Sequence, residues 1–216
     1  MKKDIPQNTN ADFLLLKDNW DLGGTAQNAG LIWEDLRGYI HILYSWSKKM
    51  NLVGLNDIDV LATKHLWRAL VMLPHIQSVS HDTIIDVGSG SGLPAIPLKI
   101  CLPGSQFYLV ESRRKRANYL REVIRSLGLK KIEVINERIE NWKENIVGDV
   151  VTARAVANPT EIKNWVTEHI AANSWLICTL EKSGLGPTEG GREVLCEWRG
   201  ESMKLGVIPL TCKQSN

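Results

Sequence analysis

Five short apolar runs constrain the fold most. "TIIDVG", "QFYLVES", "IEVINE", "GDVVTARAV" and "SWLICTLEK" follow one another from Thr83 onward, each of strand length and too short for a buried helix. Their apolar residues are continuous rather than alternating, as strands covered on both faces require. Stretches with helical spacing separate them, at 93–101, 114–127 and 160–171. Strands alternating with helices imply right-handed crossovers and a parallel, doubly wound sheet with helices on both faces.

The region before the first run reads differently. Ile32, Leu36, Tyr39, Ile40, Leu43, Trp46 and Met50 recur at spacings of three and four, which predicts an amphipathic helix over 31–50. A second helical pattern covers 59–73 and is expected to stop at Pro74. Residues 1–30 are polar and broken by Gly23, Gly24 and Gly30, and are read as a flexible arm. The expected organisation is thus an arm (1–30), a helical cap (31–75) and a Rossmann-like α/β domain (80–216). Beyond residue 183 the chain is glycine-rich, with one weak strand pattern at 205–210. It is a poor match to the antiparallel hairpin that completes many such sheets.

A chain of 216 residues accommodates one α/β domain with an extension. A net charge of +2 is too mild to establish nucleic-acid binding by itself. Cys101, Cys178, Cys196 and Cys212 are widely spaced, and the five histidines form no ligand-spaced cluster, so reduced thiols and no metal are expected. No apolar stretch has signal-peptide or membrane-span length, which gives the expectation of a cytoplasmic protein without a membrane partner.

The first strand leads into "DVGSGSGLPAIPL". In open α/β sheets the ligand sits beyond the carboxyl ends of the strands, where glycines permit close backbone approach. Asp86, Gly88, Gly90 and Gly92 lie at that point. A dinucleotide fingerprint needs a third small residue at position 93, which is Leu93, and a phosphate loop needs a Lys-Ser or Lys-Thr that is absent. The pattern D-x-G-x-G-x-G resembles motif I of the S-adenosylmethionine-dependent methyltransferases. That cofactor carries a sulfonium and an amino-acid head instead of a pyrophosphate, so an acid and bare backbone suit it. Glu111, nineteen residues beyond Gly92 at the end of the second run, is placed to accept ribose hydroxyls.

A more particular resemblance rests on "NLVG", "DVGSGSGLPAIPL", "ESRRKRANYLREV", "ERIE" and "VTARAVA", in that order. These resemble the bacterial small-subunit ribosomal RNA methyltransferase G family, also called glucose-inhibited division protein B, over roughly 31–182. The resemblance implies a Rossmann-like doubly wound methyltransferase fold with a helical N-terminal extension, and S-adenosylmethionine as cofactor. The implied activity is methylation of N7 of one guanine of 16S rRNA near the decoding centre. The implied partner is 16S rRNA or the small ribosomal subunit; a monomer is expected, although nothing in the sequence sets the oligomeric state. By the same resemblance Gly88, Leu93, Ile139, Glu140 and Arg154 are cofactor positions, joined by Gly90 and Glu111 on the bottom-up argument. Asn51, Arg116 and Lys182 match polar positions assigned to RNA or the target base.

Two departures stand out. Where the family commonly reads like "HILDSL", this chain has "HLWRAL", with Arg68 in place of the acid, and the tail lacks the usual closing strand.

Guanine N7 has an in-plane lone pair and no proton, so no general base is expected; orientation and electrostatics suffice. Arg154 is the orienting candidate, although a strand-end arginine could equally pair with Asp149 or Glu181. Asn158-Pro159 is read as a turn into a helix capped by Thr160, and none of the cysteines lies in a nucleophile motif. Arg113, Arg114, Lys115, Arg116, Arg121, Arg125, Lys130 and Lys131 crowd one stretch, with Lys48 and Lys49 nearby as a possible extension of an RNA surface. Two alternatives remain on these residues. One is a methyltransferase of small molecules or proteins on the same fold, which would turn over without RNA. The other is a cofactor-binding or RNA-binding homologue without transfer.

Overall fold

The computed structural model describes Lys17 and residues 26–53, 61–180 and 190–210; apart from Lys17, the expected arm up to residue 25 lies outside them. Helix α1 spans Ala26–Ser47. The second helical pattern is realised as a π-helical turn, Leu61–Leu66, continuing into α2, Trp67–Leu70. Pro74 does not end the cap but opens α3, Leu73–Gln77. A first-turn proline is tolerated because its missing N–H would have had no helical partner.

The alternating part runs β1 (Thr83–Val87), α4 (Ala95–Cys101), β2 (Gln106–Val110), α5 (Arg114–Leu127), β3 (Ile132–Ile135), a 3₁₀ turn (Ile139–Asn141), β4 (Gly148–Ala153) and α6 (Pro159–Trp165). A second 3₁₀ turn, Thr167–His169, precedes β5 (Ile170–Leu180), β6 (Arg192–Trp198) and β7 (Glu201–Leu210). The sheet order is β3-β2-β1-β4-β5-β7-β6. The first five strands pair in parallel, and β7 is antiparallel to both β5 and β6. The tail therefore does supply the closing hairpin, contrary to the sequence expectation.

Helix α5 starts and stops where the pattern places it, ending at Gly128 in the left-handed conformation (φ 65°). Helix α6 does not extend to residue 171: it stops at Trp165, and Ile170 already pairs with Gly148 across a bulge. Its cap is Asn158 rather than Thr160. The Asn158 side chain accepts the Glu161 amide while Glu161 reaches back to the Asn158 amide, a reciprocal capping box.

Two apolar layers enclose the sheet. On one face Trp33, Leu36, Tyr39, Ile40 and Leu43 of α1 share a core with Ile96, Tyr119 and Leu120 of α4 and α5, and with Trp67. On the other face Ile85, Val151, Ile162, Trp142 and Ile208 meet. The cap thus packs against the same helices that flank the glycine loop, which brings its polar groups to that loop.

Candidate active site

The loop between β1 and α4 turns by left-handed steps at Gly88 (φ 67°), Gly90 (φ 51°) and Gly92 (φ 87°). A Cβ on Gly88 would come within 2.8 Å of the Val156 side chain, and one on Gly92 within 2.7 Å of Ile96. Gly90 has no protein atom closer than 3.6 Å to such a Cβ. Its conformation, and access for a ligand, account for glycine there.

Several long-range bonds hold the loop. Gly88 and Ser89 amides donate to the Val110 carbonyl. Glu111 Oε2 accepts the Gly90 amide at 2.9 Å, and Oε1 accepts the Arg113 amide at 2.7 Å. The phenols of Tyr39 in α1 and Tyr119 in α5 both donate to the Ser91 carbonyl, at 2.8 and 3.2 Å. Asn136 Nδ2 donates to the Glu111 carbonyl and fixes the turn after β2.

Asp86 lies beneath the loop, 1% exposed. Its Oδ1 accepts from Thr152 Oγ1 at 2.6 Å, while Oδ2 is buried without a partner. Burial pushes its pKa up to about 6, against the Thr152 and Ser89 hydroxyls and the Arg154 charge. Asp86 does not itself line the cavity above the loop, but an unpaired buried carboxylate oxygen beneath backbone freed by glycines suits the ammonium of a zwitterionic amino-acid head, which is the test S-adenosylmethionine must pass here.

A cavity of about 290 Å³ opens over this loop, lined by Gly88, Gly90, Leu93, Glu111, Arg116 and Arg154 among the expected residues. Leu52, Ser89, Ser91, Arg113, Ala155 and Val156 line it too and were not singled out from the sequence as site residues. The "VTARAVA" run held the signal for two of them: Ala155 sits at φ 52°, held by Thr179 Oγ1, and turns Val156 over Gly88. Ile139 and Glu140 lie on the 3₁₀ turn after β3, Ile139 buried and Glu140 exposed, and do not line this cavity. Asn51 is beside it, its carbonyl accepting from Arg116 at 3.4 Å. Lys182 lies outside the described residues.

Arg154 does not pair with Asp149, whose carboxylate accepts the Thr83 amide instead; Glu181 lies outside the described residues. An Arg154 guanidinium nitrogen lies 3.4 Å from His65 Nδ1. Burial, with the charges of Arg154, Arg68 and Lys64, lowers the His65 pKa to about 4, so the ring is a neutral acceptor at ordinary pH.

The basic stretch divides in two. Arg113 and Arg116 reach the cavity and Arg114 and Lys115 are exposed beside them. Farther along, Arg121 donates to Asn118 and Val134, Arg125 pairs with Glu122, and Lys131 bonds the Gly104 carbonyl. Among the described residues, no group of three His, Cys, Asp or Glu could hold a metal, and no helix is long and apolar enough to cross a membrane. Burial pushes the thiols of Cys101 and Cys178 up to about 12, which removes both as nucleophiles.

The fold is similar to that of a methyltransferase from Geobacter sulfurreducens (TM-score 0.59, 12% identity, 79% of this chain and 88% of that one). Among curated proteins, the ribosomal RNA small subunit methyltransferase G of Legionella pneumophila (strain Corby) is 38% identical over 74% of this chain and 76% of its own length. That of Neisseria meningitidis serogroup A is 35% identical over 69% and 68%. The family model described as rRNA small subunit methyltransferase G matches residues 32–179. With the glycine loop, its acid and the sheet order already in place, the chain belongs to the GidB family of rRNA small subunit methyltransferases G.

Proposed function

We propose that this chain transfers a methyl group from S-adenosylmethionine to N7 of a guanine in 16S rRNA, acting as a monomer in the cytoplasm on the small subunit or its RNA. The observation that carries the chemistry is the character of the cavity wall. Among the described residues its titratable groups are Arg113, Arg116, Arg154 and a Glu111 whose two oxygens both receive backbone amides. Such a wall suits a nucleophile that brings its own lone pair and loses no proton.

S-adenosylmethionine supplies an electrophilic methyl on a sulfonium. Gly88 and Gly90 give backbone access, and the unpaired Asp86 Oδ2 offers an acceptor near the amino-acid end. Glu111 has lone pairs left for ribose hydroxyls after its two amide bonds. Ile139 and Glu140 would hold the adenine, and Arg154 would orient the cofactor carboxylate. On the RNA side, Arg114, Lys115 and Arg116 occupy the first turn of α5, where cations oppose the helix dipole. Three cations at a helix start cost stability unless an anion meets them. RNA phosphate would be that anion, with Asn51 and Lys182 as further contacts.

The test is methyl transfer to small subunits, and separately to naked 16S rRNA, from a strain lacking this modification, with the product located by mass spectrometry. Incorporation at guanine N7, abolished by Gly88→Val, is the expected result. Turnover of a small molecule or protein without RNA would overturn it, as would cofactor binding with no transfer to either RNA substrate.

A further inference from the structure

Arg68 and the closing hairpin, the two places where the sequence departs from the family pattern, are bonded to each other. Glu201, the first residue of β7, places one carboxylate oxygen 2.9 Å from Lys64 Nζ and the other 3.1 Å from an Arg68 guanidinium nitrogen. Beside this pair Trp67 stacks on Trp198, the last residue of β6, with centroids 6.2 Å apart and planes 25° from parallel. The residues on either side of His65 are therefore fastened to the hairpin, and His65 is the residue that meets Arg154 in the cavity wall.

Charge makes this more than a staple. Lys64, Arg68 and Arg154 converge on His65, and Arg68 repels the Arg154 guanidinium. Arg68 Nε and His65 Nε2 are both buried without partners, so neither residue has a second anchor at those atoms. Among the described residues acting on His65, Glu201 is the one acid. Freed from Glu201, the Arg68 head would have Arg154 as a like-charged neighbour.

We propose that Glu201 is a positioning residue for the cofactor site: by binding Lys64 and Arg68 it holds His65 against Arg154 and keeps the Arg68 charge engaged away from that guanidinium. Arg154 is then free to present its remaining donors to the cavity. The inference rests on the reading that Arg154 orients the cofactor, and it makes the C-terminal hairpin part of the cofactor site without touching the cofactor.

The experiment is calorimetric binding of S-adenosylmethionine to the full-length chain, with KM for cofactor and kcat on small subunits alongside. Glu201→Gln should weaken cofactor binding about tenfold and raise KM with little change in kcat, a coupling typical of networked charges. Arg68→Met keeps the apolar stem, so adding it to Glu201→Gln should restore affinity to within about twofold, because the uncompensated charge is gone. A purely structural staple predicts the reverse: the second substitution removes packing and binding worsens, which would overturn the proposal. So would unchanged affinity in Glu201→Gln with a lowered Tm. If Glu201→Gln does not fold, Arg68→Met alone decides: unchanged or tighter binding supports the proposal, weaker binding overturns it. Arg154→Lys separates the two layers. Unchanged affinity there removes the reading of Arg154 itself, whereas a loss there with none in Glu201→Gln removes only the role of Glu201.

Discussion

The two ends proposed for the cofactor are built in different ways. The loop from Gly88 to Leu93 is tied to β2, α1 and α5 by bonds from residues far away in sequence. The turn at Ile139–Asn141 is held by local amides and by a stack of Trp142 on His169, 4.5 Å between centroids. His169 sets its two ring nitrogens at the Ile146 and Trp142 carbonyls, each 3.1 Å away. The first end is gripped by hydrogen bonds that reach its own backbone from several elements, whereas the second is held through one adjoining side chain, Trp142. Substitutions should therefore act strongly and specifically at the first, and weakly at the second.

The largest effect is expected at Gly88. Gly88→Ala combines a left-handed backbone with a Cβ 2.8 Å from Val156, and should lower S-adenosylmethionine affinity about a hundredfold by calorimetry. An equal loss in Trp142→Leu would erase the contrast between the ends. Next comes Asp86, whose carboxyl, buried away from water, holds its proton to about pH 6 when folded, well above the ordinary carboxylate range. Its contribution therefore favours the folded chain at acid pH and is lost as pH rises through that window, since the folded state binds more protons there. A cation bound beside Asp86 lowers this pKa, so cofactor binding should release a proton near pH 5.5 and none at pH 8. Calorimetry in buffers of different ionisation enthalpy reads that directly, and Asp86→Asn should abolish it.

A smaller effect is expected for Tyr39→Phe, which removes one of two donors to the Ser91 carbonyl. A cost of about 1 kcal/mol, or a few-fold in cofactor affinity, follows from one buried hydrogen bond. The smallest is Glu140→Gln at the exposed turn, with a change in affinity below about threefold. On the RNA side Arg114→Ala should raise Tm slightly by relieving the dipole conflict, yet weaken RNA binding in a salt-dependent way.

The same contrast explains what could be read from the sequence. The strands and the glycine loop were legible because each is a local pattern: an apolar run, then residues whose backbone only glycine adopts cheaply. Helix α5 was legible to the residue because Gly128 marks its end. What was missed depended on partners. Pro209 and Gly206 weaken the strand signal of β7, yet both are paired across from β5, Pro209 with Trp175 and Gly206 with Cys178, so the partner strand defines what the residues alone do not. The helix pattern through residue 171 is overridden because Gly148 pairs with Ile170. Thr160 and Asn158 are both acceptable caps, and Glu161 three residues on selects Asn158. The basic stretch reads as uniform, yet only contacts with Glu122, Val134 and Gly104 show which of its charges are already engaged.

Strand β7 is synthesised after β6 yet lies between β6 and β5. The sheet cannot be assembled in the order in which its strands leave the ribosome. Until β7 arrives, β5 ends in an open edge and β6 has no neighbour, and open edges invite pairing with other chains. The same strand carries Glu201, so the contacts with Lys64 and Arg68 form only once β7 has paired along β5.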